Sequence, residues 1–166
     1  MTLQNIRLTL LGLWLGAMCF FSFFVAQAAF AVLPSSYLAG QVVSRTLGNL
    51  ETFGIILGVM LLALRMADAP RNSLRFFFET LLLALMTGAM VVSKFVISAR
   101  LHQIRVDYGE KLQTMPRTEF VRQAFDQLHV LSVGMTGFTM LAALVLIAAL
   151  IALQRHSLKA VQESRS

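Results

Sequence analysis

Glu51, Lys94 and His129 each stand within or at the edge of a long apolar stretch, where an ionisable side chain is costly and is either paired or functional. A carboxylate, an ammonium and an imidazole brought together would exchange a proton or hold a small charged solute. Through its nitrogen, the imidazole would also ligate a metal or haem iron. Arg45, Asn49 and Ser98 lie close by along the same helices and complete the candidate ligand-binding set: His129, Lys94, Glu51, Arg45, Ser98 and Asn49. His129 is the candidate metal ligand among them. No residue is assigned as catalytic, because the chain has no HExxH, P-loop, GxSxG or dinucleotide fingerprint.

Helical spacing arranges these residues in stripes. Thr80, Thr87, Lys94, Ser98, His102 and Arg105 recur on one face of a third helix, and Arg122, Asp126, His129, Ser132, Thr136 and Thr139 on one face of a fourth. Hydroxyls and charges are penalised against lipid, so the two stripes are expected to face each other or a cavity. A hairpin centred between Lys111 and Gln113 sets His129 opposite Phe95, at the height of Lys94 and Ser98. It leaves His102 near Gln123, about 9 Å away along the axis. The two histidines are then too far apart for one ion, whose nitrogen ligands stand about 2 Å from it. Glu51 is about 21 Å along its helix from Arg65 and falls near the level of Lys94. The competing reading of the cluster is a charge-balanced plug that lets three helices pack. Arg75 and Glu79, four residues apart, read as a structural pair near the opposite interface.

The elements that hold these groups follow from hydropathy. The 166 residues are 57% apolar, with a mean hydropathy of +0.73, well above the soluble range. The excess lies in four stretches, 8–33, 50–64, 76–92 and 130–153, which with their flanks reach the roughly 20 residues that cross a bilayer. The expected fold is all-α, an integral membrane antiparallel four-helix bundle in one domain, 1–166. Its helices cover about 5–33, 36–66, 72–108 and 116–155, followed by a polar tail at 157–166. Pro34 with Ser35 and Ser36 marks the first turn, Asp68 or Asn72 with Pro70 the second, and Gly109 the stop of the third helix, with Pro116 opening the fourth. The second helix would measure about 42 Å against a hydrocarbon core of about 30 Å, so helices 2, 3 and 4 are expected to extend past one membrane face.

Charge and cysteine usage narrow the partners. The net charge of +6 is spread over helix ends with no basic cluster interleaved with aromatics, which points to anionic lipid headgroups and away from nucleic acid. Cys19, the only cysteine, permits no intrachain disulfide. Arg7, an apolar run and Ala26-Gln27-Ala28 imitate a cleavable signal, but the run of about 18 residues outlasts a signal core and the first helix is expected to be retained. Basic residues divide evenly between the two sides. Arg7 precedes the first helix and nothing basic follows until Arg45, which favours both termini in the cytoplasm and an inner-membrane location. Gly12/Gly16 and Gly54/Gly58 are spaced for close helix approach, within the bundle or in a homo-oligomer.

Leu13-Trp14-Leu15-Gly16, Phe24-Val25-Ala26, Phe30, Leu33-Pro34 and Ala39-Gly40, with His129 in Leu-His-Val-Leu-Ser, resemble the transmembrane protein 205-like family, the domain of unknown function 4149. The resemblance spans nearly the whole chain. It implies a four-helix integral membrane protein of largely unassigned function, with animal relatives discussed in connection with metal-drug tolerance. In outline alone it is also similar to copper-resistance and haem-biosynthesis membrane domains. The expected function is binding, or helping to move, a small solute or metal-containing species in a polar pocket near one membrane face. No cofactor is assigned. The alternatives are a haem- or metal-binding oxidoreductase and a structural or assembly subunit without its own chemistry.

Overall fold

The computed structural model describes residues 3–67 and 74–163, with side chains described as far as residue 152. The first helical rod, α1, is Leu3–Val32, and a π-helical segment interrupts it at Phe21–Val25. Leu33 is extended, as the residue before a proline must be. Ser35 then accepts a hydrogen bond from the Leu38 amide at 3.2 Å and so caps α2, Ser36–Ala67. The cap candidates Asp68, Pro70 and Asn72 lie outside the described residues.

The third rod, α3, is Leu74–Tyr108, with a second π-helical segment at Ser93–Ser98. It stops at Gly109, whose φ of 53° belongs to the region glycine tolerates best. A short helix, α4 (Lys111–Thr114), follows. Pro116 does not open the last helix. It accepts from the Glu119 amide in a turn, and α5 runs from Phe120 to Glu163, past the expected end near Arg155. Most of the expected polar tail is therefore helical, and residues 164–166 lie outside the described part.

The starts of α1 and α3 meet the ends of α2 and α5. Gln4 donates to the Leu150 carbonyl at 2.8 Å, Arg7 reaches Glu79, and Arg65 reaches the same carboxylate. Neighbouring rods thus run in opposite directions. Between them lies a core of Leu11, Trp14, Met18, Leu61, Leu83, Met86, Met90, Ala143, Leu146 and Leu150, drawn from all four. The outside is apolar as well: Leu13, Phe23, Phe53, Phe77, Phe95 and Val130 are all exposed. A surface of this kind would be a liability in water, whereas in hydrocarbon it is solvated. Among the described residues, four helices are long and apolar enough to cross a membrane, and the chain is a multi-pass membrane protein.

Close approach of α2 to α3 depends on glycine. A Cβ on Gly58 would collide with Thr87, and one on Gly54 with Met90 and the Trp14 indole. Gly54 and Gly58 are therefore filled from within the bundle and are not available to a second copy. Gly12 and Gly16 face open space instead, so they contribute nothing to packing inside the chain.

Candidate functional site

Of the candidate ligand-binding residues, Glu51 is the one that is buried, at 4% exposure. Ser93 Oγ donates to its Oε1, and Ser98 Oγ lies 3.2 Å from Oε2. Ser93 and Ser98 are five residues apart. On an α-helix, at about 100° per residue, they would point about 140° away from each other. The π segment, with its i→i+5 repeat, stacks them one turn apart on the face turned to α2. The hydrogen bonding of Glu51 is a product of that local widening.

Lys94 belongs to the same segment and takes a different course. Its Nζ donates to the Gly48 carbonyl at 2.9 Å and to Thr52 Oγ1 at 2.6 Å, and its charge acts on Glu51 without a direct ion pair. The expected triad is therefore a corrected arrangement. Glu51 is served by two serines, while Lys94 ties α3 to α2 through a carbonyl and a hydroxyl.

His129 does not join them by hydrogen bonding. It is exposed, and its ring lies parallel to Phe125 with centroids 6.4 Å apart. It lines, instead, a cavity of about 670 Å³ bounded by α1, α2, α3 and α5, together with Arg45, Ser98, His102 and Arg105. That volume falls within the range of small-molecule sites, about 300–1,000 Å³. Asn49 is exposed and is not among the residues that line the cavity. Ser98 touches both parts, with Glu51 below it and the cavity above. His102, set at a different height by the hairpin register, shares the wall with His129, because the cavity is long enough to cover both levels. Among the described residues, no three His, Cys, Asp or Glu side chains converge as metal ligands would.

Arg105 is the cavity group that spacing alone underrated. It appeared on the α3 stripe but not in the candidate set. It is half-buried, donates to Ser44 Oγ, and lies 5.2 Å from the centroid of Phe125. The guanidinium lies beside Gly40 of α2, where an added Cβ would stand 3.5 Å from it, an ordinary contact distance.

The opposite end of the bundle holds a second polar cluster, larger than the expected Arg75–Glu79 pair. Glu79 accepts hydrogen bonds from Arg75 at 2.7 Å and Arg7 at 2.8 Å, and Arg65 Nε stands 3.0 Å from the same carboxylate as an ion pair. Arg75 also donates to the Ala149 carbonyl of α5 at 3.1 Å. One carboxylate thereby joins α1, α2 and α3, and one of its arginines adds α5. The sequence signal for this was the arrival of Arg7, Arg65 and Arg75 at the same membrane face.

The sequence model of the family described as "Domain of unknown function (DUF4149)" matches residues 9–110, which is more than half of the 166 residues. The chain belongs to this family. No curated protein and no solved structure matches it. The DUF4149 match includes Arg45, Glu51, Lys94, Ser98 and Arg105 and ends before α5. His129 and the rest of the α5 wall therefore lie outside the matched residues, and the likeness is shorter than the whole-chain resemblance anticipated. The family description assigns no function, so the chemistry must come from the residues themselves.

Proposed function

We propose that the protein binds a small solute in the cavity between α1, α2, α3 and α5, near the membrane face opposite the Glu79 cluster. The single observation that carries this reading is the cavity itself. It is a site of ligand size, lined by Arg45, Ser98, His102, Arg105 and His129 in a bundle whose opposite end is tied by ion pairs. Ser98 lines its floor and ties it to the Glu51–Ser93 pair beneath, and Lys94 fixes the adjoining strip of α2. In this arrangement the ends of α2, α3 and α5 around the cavity stand past the hydrocarbon. Both termini face the cytoplasm of a bacterial inner membrane, because Arg7 precedes the first span and no basic residue follows until Arg45.

Thiol chemistry tests the reading. In a Cys19→Ala background, His129→Cys would carry its thiol on the cavity wall. Val130→Cys, one residue along at nearly the same depth, would carry its thiol on the apolar outside, where Val130 is 70% exposed. A charged, membrane-impermeant thiol reagent should modify the first and spare the second. Equal reactivity at the two positions would remove the solute-accessible site and the function built on it.

A further inference from the structure

The cavity wall carries charge of one sign. Arg45 and Arg105 line it, joined by two histidines, and none of its lining residues is Asp or Glu. Among the described residues, Arg105 has no carboxylate within ion-pair distance. Its contacts are the Ser44 hydroxyl and the Phe125 ring, with Tyr37 near enough to interact with its charge. A guanidinium presents a planar fork of donors suited to a carboxylate or phosphate, and a hydroxyl and a ring face leave most of that fork unused. Half-buried in the bundle, a cation of this kind attracts an anion more strongly than it would in bulk water.

The remainder of the wall has a different character. Phe21, Ala26 and Phe30 of α1, Leu47 of α2 and Val133 of α5 are apolar and border the side of the cavity where α1 passes between α2 and α5. The π segment Phe21–Val25 lies at this border. It carries Phe23 and Phe24, which are exposed on the apolar outside of the bundle. The cavity therefore combines a cationic end with an apolar flank that continues into the bilayer phase.

We infer that the solute of the proposed site is an amphipathic anion: an acyl chain lying along the α1 flank, with its single acidic head, carboxylate or phosphate, held by Arg105 and assisted by Arg45. The inference rests on the solute-binding reading and specifies the class of solute. Glu51 has no part in the contact, because Ser93 and Ser98 already occupy it below the cavity floor. A cationic solute would meet Arg105 without compensation, whereas an anion completes it.

Equilibrium binding of radiolabelled laurate and of lauroyl-lysophosphatidate to the full chain in neutral-detergent micelles tests the assignment, with dodecanol as the uncharged competitor. Binding of either acid that dodecanol displaces at least about tenfold less well than the unlabelled acid is the expected result, since a charge-assisted hydrogen bond is worth that factor or more. Laurate binding identifies a free fatty acid as sufficient. Binding of lysophosphatidate alone identifies the phosphate headgroup. Arg105→Gln should weaken binding by about tenfold or more, with Arg105→Lys intermediate. Competition in the unaltered protein needs no variant to fold. The inference is overturned if neither acid binds, if dodecanol competes as well as the acid, or if folded Arg105→Gln binds unchanged. Labelling of His129→Cys that persists without any acid binding would leave the site standing and remove only the amphiphile. Loss of that selective labelling would remove the site as well.

Discussion

Replacing Glu79 by Gln tests how the bundle is held at the end away from the cavity. The change keeps the shape of the side chain and removes the charge on which three guanidinium groups converge, Arg7 at 2.8 Å, Arg65 at 3.0 Å and Arg75 at 2.7 Å. Arg7, Arg65 and Glu79 are all below 10% exposed, while Arg75 is 38% exposed. Removing one partner of a buried ion pair costs about 3–5 kcal/mol, because the desolvated charge that remains has lost its compensation. Glutamine makes this worse for at least one arginine, since its amide nitrogen must point toward a cation. Arg75→Ala is the control. Its pairing with Glu79 is discounted for solvent to about 1 kcal/mol or less, and its hydrogen bond to the Ala149 carbonyl adds about 1 kcal/mol. Reversible unfolding in mixed micelles, followed by the fluorescence of the single, buried Trp14, should therefore show Glu79→Gln to be the more destabilising change by about 2 kcal/mol. A Glu79→Gln protein within about 1 kcal/mol of the parent, or an Arg75→Ala protein that is the weaker of the two, would refute the weighting by burial.

Two further outcomes follow from packing and hydrogen bonding. Gly58→Ala places a methyl against Thr87 and should destabilise by about 1–3 kcal/mol. Thr87→Ala in the same chain should recover most of that loss in the same unfolding assay, and strict additivity of the two changes would show that the contact is not the cause. Ser93→Ala takes a donor from the buried Glu51 carboxylate and should cost about 1–3 kcal/mol. Ser93→Thr, which keeps the hydroxyl, should cost less, and equal losses for the two would assign the effect to packing.

The number of spans, the all-helical fold and the membrane setting were legible because hydropathy over about 20 residues is a signal that no tertiary detail overrides. Glu51, Lys94 and Ser98 were brought to one level by simple counting along rods of 1.5 Å rise, and the structure does place them together. The details within that level were lost because counting assumes α geometry throughout. Ser93 falls off the polar stripe at 100° per residue and returns to it only through the π segment. Arg105 looked like one more charge at a helix end. Its position over Gly40 depends on how closely α3 approaches α2, which periodicity does not encode. Pro116 suggested a helix start for a sound local reason, but the chain spends it in a turn before Phe120. Convergence of Arg7 and Arg65 on Glu79 needed the relative rotation of three helices, which sequence spacing within each one leaves free.

The π segment of α3 also sets a phase relation between the two halves of that helix. One residue more per turn leaves the part above Ser98 rotated by about 100° from where an uninterrupted α-helix would carry it. Below the segment, the buried face presents Leu83, Met86 and Met90 to the core. Above it, the same rod turns Arg105 toward α2 and His102 toward the cavity. A helix of one uninterrupted pitch could not address both neighbourhoods with this order of residues. The cationic wall is in that sense a matter of angular offset: the residues that make it would be available without the segment, but aimed elsewhere.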